Sequence, residues 1–153
     1  MRPASPSALF DYLRDLAERH QDIITAVVAL PEQYTPPGAE GYPLVLVEPD
    51  PFVEELNEGA DLYRVAFWVN VRQARTDGTA DPALVTQAKR LCDELLQQLL
   101  REQKVSRQGP ATYTLHYTTV DNGLASGVRC ELALVLEKQV NRSTNPNKFT
   151  PLV

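Results

Sequence analysis

A chain of 153 residues, 43% hydrophobic and 23% charged, is long enough to bury one core without disulfides or metals and too apolar for bulk disorder. Its net charge of −5, with no basic block, argues against binding nucleic acid by phosphate neutralisation. The opening Met1-Arg2-Pro3-Ala4-Ser5-Pro6 has no hydrophobic signal region and no run reaches membrane-spanning length, so a reducing cytoplasm is the expected compartment.

Ser5 followed by Pro6 is a helix start: a capping hydroxyl, then proline at the first helical position. Leu9, Phe10, Leu13, Leu16 and Ala17 then recur at spacings of three and four, predicting an amphipathic helix over about 6–20. Ile23 to Leu30 is short and β-branched and reads as a strand. Pro31 to Gly41, with Pro36, Pro37 and Gly38 inside it, reads as a loop. Pro43 to Val47 is a second strand, apolar on both faces and therefore central. Pro49 and Pro51 end it, because proline has no N–H to give a ladder.

Tyr63 to Arg72 is the third strand. Its odd positions, Tyr63, Val65, Phe67, Val69 and Val71, form one apolar face. On the other face the only tryptophan, Trp68, lies between Arg64 and Arg72 with Asn70 beside it. Thr76 to Thr79 reads as a turn. Asp81-Pro82 repeats the cap-then-proline signal and opens a second helix to about Glu102, with Leu84, Ala88, Leu91, Cys92, Leu95 and Leu99 on one side. Gly109-Pro110 reads as the end of a linker. Thr112 to Val120 is a strand with Tyr113, Leu115 and Tyr117 on one face and Thr114, His116 and Thr118 on the other. Asp121 to Gly127 reads as a hairpin connection and Val128 to Lys138 as the returning strand. Cys92 and Cys130 fall at inward positions and are expected as buried free thiols. Asn141-Arg142-Ser143 matches a glycosylation acceptor, which means little without a secretory signal.

The order α-β-β-β-α-β-β predicts an α+β fold. It is a two-layer domain with an antiparallel or mixed sheet of about five strands and two amphipathic helices packed on one face. One domain spans 1–140, and 141–153 is a C-terminal extension expected to act as an interaction arm. Two helices on one face leave the face of Trp68 to be covered by the Pro-rich loop, by the chain's own tail, or by another polypeptide.

Few residues point to chemistry. Glu48, Asp50, Glu54, Glu55, Glu58 and Asp61 form an acidic stretch without the ligand spacing of a calcium loop, and read as a solvated loop or an electrostatic surface. His20 and His116 have no second ligand at metal spacing. His20 fits a favourable charge at a helix C-terminus, and His116 lacks an identifiable orienting acid. No serine sits in a nucleophile elbow, and the glycines form no phosphate loop. Arg64, Arg72 and Arg75 around Trp68 would make a thin stacking platform for nucleic acid. No catalytic, metal or cofactor residue is assigned.

The N-terminal amphipathic helix, the Tyr-Pro-Leu-Val-Leu-Val segment (Tyr42 to Val47), and the Asp-Pro-Ala-Leu-Val-Thr-Gln-Ala-Lys-Arg-Leu-Cys-Asp-Glu-Leu-Leu segment (Asp81 to Leu96) before a terminal hairpin carry a resemblance. Over about residues 6–140 the chain resembles the tail-completion or tail-terminator (neck) proteins of tailed bacteriophages, and the related tube-capping proteins of phage-tail-like injection machines. The resemblance rests on length, element order and texture. It implies a non-enzymatic virion protein, assembled in the host cytoplasm, that forms a ring, usually of six copies, on the head-proximal end of the tail tube. It implies as partners further copies of itself, the tail tube protein and neck or head–tail connector proteins, with DNA passing through the lumen unbound and no membrane. It implies no cofactor.

Interface candidates are then Trp68, Arg64 and Arg72 on one surface and Glu54, Glu55 and Glu58 on another, the three glutamates expected in a loop near a lumen or subunit boundary. The alternatives are a head–tail joining protein of the same neck, a cofactor-free ligand-binding domain or enzyme with a pocket between sheet and helices near Tyr113, His116 and Tyr117, and a bacterial regulatory or protein-binding module.

Overall fold

Helix α1 (Pro6–Glu18) starts as its sequence requires: Ser5 is extended and its Oγ accepts from the Ala8 N–H at 3.2 Å. Helix α2 (Pro82–Glu102) starts the same way, with Asp81 accepting from the Ala83 N–H at 3.1 Å. It ends at Gln103, whose φ of 54° turns the chain out of the helix. A computed structural model describes residues 2–35, 37–72, 81–120 and 125–138. The expected turn at Thr76–Thr79, the first part of the Asp121–Gly127 connection, the glycosylation match and the C-terminal extension lie outside them.

The strands are β1 (Thr25–Val28), β2 (Leu44–Val47), β3 (Phe52–Asn57), β4 (Ala60–Arg72), β5 (Ser106–Val120) and β6 (Ala125–Glu137). They form one mixed sheet in the order β1-β2-β4-β6-β5, with β3 also paired to β4. Both helices lie on one face, so the α+β two-layer expectation holds. α1 packs on β1 and β2, and α2 on β4, β5 and β6. Between the layers, Leu9, Leu13 and Leu16 of α1 and Leu91, Leu95 and Leu99 of α2 meet Val65, Phe67 and Val69 of β4 and Leu132 and Leu134 of β6. Each such fully buried aliphatic side chain is worth about 1.5–3 kcal/mol of transfer free energy. Cys92 and Cys130 are buried, unbridged and in contact between α2 and β6. The hydrogen bond to Cys130, then burial, pushes the Cys92 thiol's pKa up.

Two expectations are corrected, the acidic stretch and Gly109-Pro110, and the direction of β1 is settled. The acidic stretch is not a loop: Phe52–Asn57 is a strand, antiparallel to β4, with Phe52 opposite Arg64 and Glu54 opposite Leu62. The Asn57 Oδ1 accepts from the Gly59 N–H at 2.8 Å and closes the hairpin. β2 ends at Val47, before Pro49 and Pro51, as expected, and β3 opens directly after Pro51. β1 and β2 run parallel, which the stretch from 29 to 43 permits because it is long enough for a crossover. Within it Gly41 lies against Pro37 and near the side chain of Thr25, the first residue of β1. Finally, Gly109-Pro110 is inside β5, at an irregularity where the pairing with β6 shifts between Gln108 and Thr112.

Candidate functional site

The face of the sheet away from the helices carries a polar cluster centred on Trp68. Trp68 on β4 is paired across the sheet with Leu46 on one side and Arg129 on the other. Its Nε1–H donates to Glu48 Oε1 at 2.6 Å. Glu48 is the first residue after β2, and its own N–H still donates to the Ala66 carbonyl at 3.0 Å, which holds the side chain against β4. Arg129 on β6 grips the same carboxylate with both prongs, Nε to Oε1 and Nη2 to Oε2, each at 2.9 Å. Its Nη1 reaches Glu131 at 2.5 Å, and its Cζ lies 5.9 Å from the indole centroid.

The His116 ring of β5 stacks on Trp68, centroids 4.8 Å apart and planes 29° apart. One strand, β6, lies between these residues, and His116 is in the row of Gly127 and Asn70, two positions along β4 from Trp68. Gly127 has no side chain, so the imidazole can lean across β6 to reach the indole.

The electrostatics are those of a closed ion pair. The Arg129 guanidinium holds the Glu48 carboxyl below the usual range, opposed by burial and helped by the indole N–H. Glu48 in turn raises the pKa of Arg129. Burial, then the Arg129 charge, lowers the pKa of His116, which favours neutral imidazole. An ionised Glu48 is an acceptor only, so it offers no proton. With Arg129 and the Trp68 N–H both bound to it, the Glu48 carboxylate holds the cluster rigidly on this face.

Below the cluster the face opens into a groove of about 590 Å³. Phe52, Asp50 and Arg64 stand on one side, and Gln108, Gly109 and Pro110 of β5 on the other. Gly109, at φ 76°, sits in the irregularity that lifts β5 at the groove's edge. Arg64 has no ion pair among the described residues.

The structure sorts the expected site residues into three places. Trp68 is half-buried, shielded by Glu48, His116 and Arg129 of its own chain. Arg64 is exposed in the groove, whereas Arg72 is exposed at the far end of β4, about 26 Å away at strand rise. Glu54 and Glu55 are on β3, which corrects their assignment to a loop, while Glu58 is in the hairpin turn that follows; all three are exposed. Glu55 pairs with Lys138, and Asp61 is 3.7 Å from the same ammonium.

The pocket expected near Tyr113, His116 and Tyr117 does not form as a unit. Tyr113 lies on the helix side and donates to Asp93 at 3.2 Å, while His116 is on the opposite face. The side chain of Tyr117 is outside the described residues. His20 binds Glu94 of α2 at 2.5 Å through Nε2, and its Nδ1 accepts from the Asp22 N–H; it ties the two helices together in addition to following α1. Among the described residues no three His, Cys, Asp or Glu side chains gather at metal-binding separation. No described helix is long and apolar enough to cross a membrane.

Sequence reasoning missed Arg129 and Glu131 and placed Glu48 only in an acidic run. Alternation put Arg129 opposite the Cys130 face, but nothing in the one-dimensional pattern placed it beside Trp68. That depended on the β4–β6 register. Comparison of the chain with protein-family models and with curated proteins finds no match.

Proposed function

We propose that the chain is a structural, non-enzymatic component of a phage tail or neck. It is a ring-forming tail terminator that caps the tail tube and offers the docking surface for the neck and head. The observation that supports this reading is the distribution of surfaces. Both helices lie on one side of the sheet, while the other side presents a charged groove and β3 stands exposed at the edge. A ring subunit needs two different contact surfaces. A net charge of −5 and the glutamates of β3 suit a lumen through which DNA slides without sticking. A head–tail joining role in the same neck would use the same surfaces. The groove favours one reading of another class, a small-ligand-binding domain.

The test is assembly of this chain with a purified phage tail tube protein. Purified tubes incubated with it are expected to stop growing and to show a ring at one end by electron microscopy. A monomer at every concentration that leaves tube growth unchanged would overturn the proposal.

A further inference from the structure

We propose that the free edge of β3 in one copy pairs with the free edge of β5 in the next, joining the sheets head to tail. This deepens the ring reading, on which it rests, by naming the contact between copies.

Among the described residues β3 bonds only to β4, and all six of its residues are exposed. Three of them are large and apolar: Phe52 is 62% exposed, Val53 45% and Leu56 39%. A free edge with this composition is a template for another strand, and natural proteins usually blunt such edges. β5 is the opposite edge of the same sheet and, among the described residues, bonds only to β6.

The two edges match in level, direction and charge. Val53 faces Tyr63, Tyr63 faces Leu134, and Leu134 faces Arg107, so Val53 and Arg107 end one row across the sheet. Phe52 and Gln108 end the neighbouring row in the same way. A copy displaced sideways by the width of the sheet brings these ends together. β3 runs antiparallel to β4, whereas β5 runs with it, so the new pair is antiparallel, the more stable ladder. Glu54, Glu55 and Glu58 lie along β3 and its turn; Arg107 is the second residue of β5, and Lys104 lies two residues before the strand starts.

Self-pairing of β3 would stack carboxylate on carboxylate, which disfavours a two-fold contact there. Pairing with β5 in this register sets Glu54 opposite Ser106 and Glu55 opposite Val105, with Lys104 and Arg107 as their respective diagonal neighbours on the same faces, so each carboxylate gains a cation within side-chain reach. Pro110, without an N–H, limits this contact to the first residues of β5. Two different edges meeting head to tail give a heterologous contact, which closes into a ring when the rotation permits.

The test is a charge swap in the full chain, read by native mass spectrometry and light scattering. The E54K/E58K variant opposes a basic β3 to a basic β5; the K104E/R107E variant opposes two acidic edges. Both leave the Glu55–Lys138 pair in place, and circular dichroism checks their fold. Each alone is expected to associate roughly tenfold more weakly or worse, while an equimolar mixture, and the four-fold variant, regain the wild-type assembly. In the V53C/R107C variant, oxidation is expected to give a ladder of linked copies. Rings that survive both swaps would overturn the edge contact and leave the ring reading standing. A symmetric dimer insensitive to both would overturn both, since β5–β5 pairing needs no glutamate. A wild-type chain that stays monomeric at every concentration, with and without tail tubes, would overturn both as well.

Discussion

At the scale of single residues, Gly127 shows how one missing side chain organises the open face. A Cβ there would lie 2.2 Å from Asn70 Oδ1 and 2.6 Å from the Val69 carbonyl, both well inside contact distance. The glycine is needed for close approach between β6 and β4. Gly127→Ala is expected to cost about 1–3 kcal/mol, lowering the melting temperature by about 2–4 °C per kcal/mol for a chain of this size. It would also crowd the space across which His116 reaches Trp68, so the indole fluorescence should move to the red in the still-folded protein. An unchanged melting temperature and emission would show that the sheet absorbs the methyl group. Gly127 was legible only as the last residue of the expected Asp121–Gly127 connection, whereas it lies inside β6, and that was the wrong reason for it. A turn glycine and a close-approach glycine look alike in one dimension.

At the scale of elements, the two helices are fastened to each other by Glu102 near the end of α2. Arg19 binds its carboxylate at 2.7 and 2.9 Å, Tyr12 donates at 2.9 Å and Gln98 at 2.8 Å. The Arg19 hydrogen bond is the main cause that lowers the Glu102 pKa to about 2, against burial, with Gln98 and Tyr12 adding to it. A carboxyl whose folded pKa is depressed binds protons more readily when the chain is unfolded. Its contribution is therefore complete above the ordinary carboxylate range and lost as pH falls from there toward about 2. The urea midpoint of the wild type should drop through that window more than that of Glu102→Gln, and the two should converge at its lower end. Parallel curves at every pH would remove Glu102 from this role. The helices themselves were readable because their caps and apolar stripes are local. Strand β3 was not: its glutamates and flanking prolines read as a loop, while Phe52, Val53 and Leu56 gave too weak an alternation. Pairing with β4 makes it a strand, and that pairing depends on the Asn57–Gly59 hairpin.

At the scale of the whole molecule, stability is spread unevenly. β4 lies between two neighbours along its length, and Val65, Val69, Val128 and Leu134 are at most 1% exposed. β3 has one neighbour and no shielded face. Amide exchange of the unassembled chain should be slowest in β4 and β6, approaching the global unfolding free energy of about 5–15 kcal/mol, and fastest among the strands in β3. If copies join through β3, assembly should slow its exchange selectively. Equal protection of β3 and β4 in the unassembled chain would contradict this ranking.

The residues taken alone determined the two capped helices, the apolar face of β4, the buried thiols and the two-layer class, because each follows from local chemistry and periodicity. Tertiary structure decided that β1 and β2 are parallel, that the acidic run is an edge strand, and that Glu48, His116 and Arg129 surround Trp68. Those outcomes rest on strand register. Register brings together residues as far apart as positions 48 and 129, and only the folded sheet fixes it.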